Sequence, residues 1–131
     1  MSKILIIEDE PLVARMYQKS LSFDGYEVII AFGGMDGLDK LKSEKPDLIL
    51  LDIMMPEPNG MEVLEKIMTD PETKHIPVVM LTNLSGGHDA ELAKNKGAVE
   101  YWVKKDADPK ELGSKIKEVL SSLPQREPAT S

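Results

Sequence analysis

The 131-residue chain contains no cysteine. That excludes a disulfide scaffold, a thiolate zinc site and a thiol nucleophile. Its two histidines, His75 and His88, are not at metal-pair spacing. Basic residues are outnumbered, 16 against 23 acidic, for a formal net charge of −7. A nucleic-acid groove would need clustered Lys and Arg, so direct nucleic-acid binding is not expected. No apolar run approaches the ~20 residues of a membrane-spanning helix, and no membrane insertion is expected. The apolar stretch near the N-terminus is too short for a secretory signal. A GxxxxGK phosphate loop is missing, as are internal repeats and low-complexity segments. These absences point to the cytoplasm.

What remains is ordinary globular composition, with 41% hydrophobic and 30% charged residues. The length suits one domain burying roughly two-thirds of its unfolded surface. Short apolar runs recur at residues 4–7, 28–31, 48–51, 78–81 and 101–103. Such continuous runs read as strands buried on both faces. Helical periodicity fills the gaps. Leu12, Val13, Met16 and Leu21 mark a first helix, with Pro11 in its first turn and Gly25 as a stop. Leu38 and Leu41 mark a second, and Met61, Leu64, Ile67 and Met68 a third. Ala90, Leu92 and Ala93 mark a fourth, ended by Gly97. Asp108 and Pro109 open a fifth, with Glu111 placed for a capping-box-like pair and Leu112, Ile116, Val119 and Leu120 as its apolar face. Strict alternation implies right-handed crossovers and a parallel sheet with helices on both sides. The chain is too short for a (β/α)₈ barrel. The expected architecture is an α/β, doubly wound, open sheet over residues 1–123, followed by a flexible tail, 124–131.

In open parallel sheets, ligands bind outside the carboxyl ends of the strands. Those ends carry Glu8, Asp9 and Glu10; Phe32 and two glycines; Asp52; Thr82 and Asn83; and Lys104 and Lys105. If the first and third strands are neighbours, Glu8, Asp9 and Asp52 converge. Clustered carboxylates raise each other's pKa unless a cation joins them. Hard oxygen ligands with room for water suit Mg²⁺. A Thr hydroxyl and a Lys ammonium at the same edge can hold phosphoryl oxygens, so the constellation reads as phosphoryl transfer onto a carboxylate. Singly, each residue has a plainer reading: Asp52 can initiate a turn, Glu8 and Asp9 can sit in an acidic first turn, Thr82 can end a strand and Lys104 can be a surface lysine.

Together, IIEDEP, LLDIMMPEPNG, VVMLTN and EYWVKK, in this order and spacing, resemble the receiver domain of two-component response regulators, over residues 3 to about 122. The size resembles the single-domain, chemotaxis-type regulators. The resemblance implies a flavodoxin-like five-stranded sheet in the order 2-1-3-4-5 with five helices. It implies that Asp52 is the phosphoacceptor and that Asp9 binds Mg²⁺ (or Mn²⁺) directly, with Glu8 supporting through water and Met54 giving its backbone carbonyl. Thr82 and Lys104 would grip the phosphoryl oxygens. Tyr101 matches an aromatic that changes rotamer with the threonine, and Pro56 and Gly60 shape the loop after Asp52. The implied partners are a sensor histidine kinase or phosphotransfer protein, and an unidentified output protein at the face of the fourth helix, fifth strand and fifth helix. Gly86 and Gly87 would let the loop before the fourth helix move. Such a domain catalyses only its own phosphorylation and dephosphorylation.

Two departures stand out. The family usually has proline after the active-site lysine, often with a cis bond, where this chain has Lys105. A cis bond before a non-proline residue costs about 2.5–4 kcal/mol, so a trans bond between Lys104 and Lys105 is predicted. The position after the threonine is usually very small; here it is Asn83. Met54 and Leu84 stand where the family tunes dephosphorylation, and neither can orient an attacking water, which implies a long-lived phosphorylated state. Alternatives are a receiver-like scaffold that binds partners without phosphate, and a metal-dependent phosphatase of the haloacid dehalogenase type. The latter needs a second Asp two residues after the first, where Met54 stands. A flavin or dinucleotide binder is weaker, since Gly34 and Gly37 match only part of GxGxxG.

Overall fold

The computed structural model of the protein describes residues 2–82, 87–106 and 108–122, with the side chains of His88 and Asp106 excepted. Asn83, Leu84 and Gly86, singled out above, and the tail at 124–131 lie outside the described residues. The elements alternate as the apolar pattern predicts: β1 (Lys3–Ile7), α1 (Pro11–Phe23), β2 (Glu27–Ala31), α2 (Gly34–Glu44), β3 (Leu48–Asp52), α3 (Gly60–Thr69), β4 (Val78–Thr82), α4 (Gly87–Asn95), β5 (Glu100–Val103) and α5 (Pro109–Ser122). All strands pair in parallel, in the order β2-β1-β3-β4-β5. This is the doubly wound, flavodoxin-like sheet with five helices.

Strand alternation divides the core into two layers. Leu5, Ile7, Ile49, Leu51, Val78 and Met80 face α2, α3 and α4, where Leu41, Leu64, Ile67 and Ala93 meet them. Ile4, Ile6, Leu48, Leu50, Val79 and Leu81 face α1 and α5, where Tyr17, Leu21, Leu112 and Ile116 meet them. The expectation that every run is buried on both faces holds for β1 from Ile4, β3 and β4, and fails for β2 and β5. Those two are edge strands, covered on one flank only, and they are half-buried along most of their length.

The buried stripe of α1 also departs from the sequence reading. Its buried residues are Ala14, Tyr17 and Leu21, while Leu12, Met16 and Phe23 are exposed. Periodicity alone admits either stripe, and Tyr17 wins because the stripe containing Tyr17 and Leu21 fits against β1 and α5. The α1–α5 contact is closed by polar bonds: the Ser20 hydroxyl donates to the Pro109 carbonyl, and the Tyr26 hydroxyl donates to the Gly113 carbonyl at 3.0 Å.

Helix ends follow local chemistry. Asn59 and Glu62 form a reciprocal capping box at the start of α3. The Asp108 carboxylate accepts from the Lys110 N–H at 2.9 Å at the start of α5. Gly25 and Gly97, with φ of +96° and +115°, sit where the chain leaves α1 and α4. Gly34 and Gly37 are packing residues: a Cβ on Gly37 would lie 2.6 Å from Ile7 Cδ1, and one on Gly34 2.7 Å from the Pro58 carbonyl oxygen. That accounts for the partial glycine pattern without a nucleotide.

Gly60 is the tightest of these approaches. A Cβ there would lie 2.3 Å from the Asp52 carbonyl oxygen and 2.5 Å from Ile53 Cα. Backbone cannot swing aside as a side-chain tip can, so Gly60→Ala should cost about 3 kcal/mol, the upper end of overpacking. Denaturant unfolding should show a clear fall in midpoint, and an unchanged midpoint would refute the packing argument.

Candidate functional site

Register builds the site. Ile7 of β1 pairs with Leu51 of β3, so Glu8 and Asp52 come next from neighbouring strands at one level. On the other side Asp52 pairs with Leu81, and Thr82 with Val103, which brings Thr82 and Lys104 to the same edge. The carboxylates of Glu8, Asp9 and Asp52 each offer an oxygen within 4.8 Å of the others. Lys104 Nζ donates to Glu8 Oε1 at 2.6 Å and to Asp52 Oδ2 at 3.4 Å. Glu8 and Asp52 are 2% and 4% exposed, and the Lys104 side chain 10%.

Backbone groups fix the acidic side chains. The Glu10 N–H donates to Glu8 Oε2 at 3.2 Å, so one Glu8 oxygen meets the loop and the other meets Lys104. The Met54 N–H donates to Asp52 Oδ1 at 3.2 Å. Asp9 is half-buried and Glu10 is exposed. Thr82 is fully buried at the end of β4, and Tyr101 is half-buried on β5 against the α3–α4 side of the core. Among the described residues the only cis peptide bond precedes Pro58, so the bond between Lys104 and Lys105 is trans. The chain forms a single 3₁₀ turn over Lys104–Asp106, which keeps Lys104 aimed at the carboxylates without the usual proline.

The electrostatics follow from two buried carboxylates, Glu8 and Asp52, that share one ammonium, Lys104. Burial raises the Asp52 pKa first, the Glu8 charge raises it further, and Lys104 opposes both; the result is about 7. Burial alone would lower the Lys104 pKa, but the Glu8 hydrogen bond and the Asp52 charge outweigh it, and the pKa rises. Tyr17 is raised by burial and feels the charges of Lys104, Glu8 and Asp52. Its phenol therefore belongs to the surroundings of the site, and the sequence reading missed it. Its place one turn from Ala14 and Leu21 was the available signal. The donor set suits a divalent cation: hard carboxylate oxygens, an excess of negative charge, and a carboxyl whose raised pKa a cation would bring down. The residues present fit Mg²⁺ or Mn²⁺.

The sign of the pH effect is fixed by that raised pKa. Between about pH 4 and pH 7 the folded chain keeps a proton on Asp52 that the unfolded chain has released. The associated stability is present below pH 4 and is lost as pH rises through 7. In chelator-treated buffer, Asp52→Asn should therefore be more stable than wild type at pH 8, with the gain shrinking toward pH 5. Lys104→Met should do the reverse and lose about 3–5 kcal/mol at pH 8, because it leaves buried carboxylates uncompensated. Denaturant titrations at both pH values read this directly, and a pH-independent Asp52→Asn difference would count against it.

Comparison with known proteins agrees with this geometry. Residues 4–117 match the response regulator receiver domain family. Response regulator ArlR of Staphylococcus aureus is 38% identical over 127 residues, covering 97% of this chain and 56% of that protein. The chain thus spans about half the length of the curated relatives it matches. Among solved structures, the CheY-like receiver domain protein of Methanospirillum hungatei superposes with a TM-score of 0.84 at 33% identity, covering 92% of this chain and 94% of that one. The Mn²⁺-bound form of response regulator Rcp1 superposes with a TM-score of 0.81 at 28% identity, covering 97% and 100%. Sheet order, site placement and family match lead to one assignment: this chain belongs to the response regulator receiver domains, the signalling domains of two-component systems.

Proposed function

We propose that the chain is a phosphorylation switch in which Asp52 takes a phosphoryl group from the phosphohistidine of a histidine kinase or phosphotransfer protein. The observation that carries this reading is the convergence of Glu8, Asp9 and Asp52 within 4.8 Å, with the Lys104 ammonium bonded to Glu8 and Asp52. A carboxylate oxygen of Asp52 attacks phosphorus, the phosphorus–nitrogen bond breaks, and the imidazole leaves with the electron pair. Held by Glu8, Asp9, Asp52 and the Met54 backbone carbonyl, Mg²⁺ or Mn²⁺ would neutralise the charge between carboxylate and phosphoryl group. Glu8 anchors Lys104, whose shorter bond is to Glu8. Lys104 can then turn its remaining donors to a phosphoryl oxygen, and the Thr82 hydroxyl offers a second donor from β4. Met54 in place of an acid leaves the dehalogenase-type phosphatase without its proton donor.

The donor protein has to reach Asp52 from the carboxyl edge of the sheet. Exposed Leu12, Phe32 and Met54 follow β1, β2 and β3 on that edge, and Met16 and Phe23 extend the apolar surface along α1. A partner presenting its histidine on an apolar helical surface fits this rim. Within the described residues no helix is long and apolar enough to cross a membrane.

The test is labelling. Acetyl phosphate with Mg²⁺ should add one phosphoryl group, which intact-mass spectrometry detects. Asp52→Asn should abolish it, Asp9→Ala should abolish or strongly slow it, and a chelator should stop it in wild type. Full labelling of Asp52→Asn would refute the assignment.

Output follows from the same contacts. A phosphoryl group held by Thr82 and Lys104 draws Thr82 inward and opens space beside β5, which Tyr101 fills by changing rotamer. The face of α4, β5 and α5 then changes shape for an output partner. A ligand shifts such an equilibrium only by its differential affinity for the two states. With a phosphoryl mimic such as beryllofluoride, NMR shifts of Tyr101 and the α4 amides should move, and Thr82→Ala should weaken the response while leaving the fold intact. Movement confined to the neighbours of Asp52 would contradict this route.

A further inference from the structure

We propose that Met54 is a methionine-sulfoxide site, and that its oxidation by peroxide shortens the life of the phosphoryl group on Asp52; this rests on the reading of Asp52 as the phosphoacceptor. The loop after β3 presents two adjacent methionines in opposite settings. Met55 is 8% exposed and belongs to the core, whereas Met54 is 56% exposed. The loop is held in this arrangement by the Met54 N–H on Asp52 Oδ1, at 3.2 Å, and by Met55 and Gly60 N–H groups donating to the Ile53 carbonyl at 3.1 and 2.9 Å. An unbranched, solvent-exposed thioether is thus rooted two residues from the reacting oxygen, on backbone that itself touches the carboxylate.

The chemistry of that thioether decides what it can do. As sulfide it is a weak hydrogen-bond acceptor and cannot hold a water for attack. Hydrogen peroxide converts it to sulfoxide: sulfur is oxidised by two electrons, one peroxide oxygen is transferred, and the other leaves as water. The sulfoxide oxygen is a strong acceptor. It can take a hydrogen bond from a water entering the open edge and aim its oxygen at phosphorus, opposite the Asp52 oxygen. Hydrolysis then breaks the bond between phosphorus and that oxygen, releasing inorganic phosphate and the free carboxylate. Met16 and Met35 are exposed as well and will oxidise; Met35 follows Gly34, which packs against Pro58, and Met16 lies in the second turn of α1, whereas the backbone N–H on the Asp52 carboxylate is that of Met54. Met80 is fully buried and is protected.

The test separates this inference from the reading beneath it. Wild type, Met54→Leu and the double variant Met16→Leu/Met35→Leu are treated with limiting hydrogen peroxide, mapped by peptide mass spectrometry, and labelled with acetyl phosphate and Mg²⁺. Loss of label after donor removal is then followed. Wild type and the double variant should gain sulfoxide at Met54 before Met55 or Met80, and their label should decay faster by about fivefold to tenfold, the effect of one well-placed hydrogen bond. The Met54→Leu decay rate should not respond to peroxide. Sulfoxide at Met54 with unchanged decay, or a peroxide response retained in Met54→Leu, overturns the inference alone. Absence of any label on untreated wild type overturns the Asp52 reading and the inference with it.

Discussion

A single ammonium, Lys104 Nζ, sits against the buried carboxylates of Glu8 and Asp52, with Asp9 beside them. Two charges of one sign under a few per cent exposure are tolerable only because this cation joins them. The cation is itself held by the fold, since Lys104 leaves β5 at the start of a 3₁₀ turn. Its balance is deliberately incomplete in electrostatic terms: the acids outnumber it, and the strain appears as an Asp52 pKa near 7. A divalent cation bound beside Glu8, Asp9 and Asp52 would meet that residual demand for positive charge.

The packing around the site serves to keep this arrangement rigid on one side and open on the other. Behind Asp52 lie β1, β3 and β4, whose apolar residues from Ile4 onward are fully or almost fully buried. Close approaches of Gly60 to the Asp52 backbone and of Gly34 to Pro58 leave little room for the loop after β3 to drift, and Gly37 against Ile7 seats α2 on β1. On the proposed reading of Asp52 as the nucleophile, the asymmetry would matter for chemistry, because a nucleophile held in place converts binding into attack geometry.

Much of this was legible in the residues alone. Runs of apolar β-formers separated by amphipathic segments gave strand and helix order, and carboxyl-end residues gave the acidic cluster and Lys104. Three things were not. Whether a strand lies at an edge depends on which strands pair, so the half-burial of β2 and β5 was invisible locally. The stripe on α1 was ambiguous because Leu12 and Met16 are as apolar as Tyr17 and Leu21, and only contact with β1 and α5 breaks the tie. The partition of Lys104 between Glu8 and Asp52 depends on differences of less than 1 Å, which residue spacing cannot resolve.

That partition bears directly on the proposed switch. Lys104 is closer to Glu8 than to Asp52, so Glu8 is its nearer anchor. When charge and acceptor oxygens are added at Asp52, Lys104 can contact them while keeping its Glu8 bond, and only a small displacement is needed. Thr82 is different. It is fully buried at the end of β4, and β5 beside it is an edge strand with a half-buried Tyr101. A movement of Thr82 therefore meets soft packing on the β5 side and fully buried packing on the β3 side. In the proposed switch this contrast would give the signal a direction: displacement would pass outward through Tyr101 toward α4, away from the sheet centre, because that is where the structure can yield at least cost.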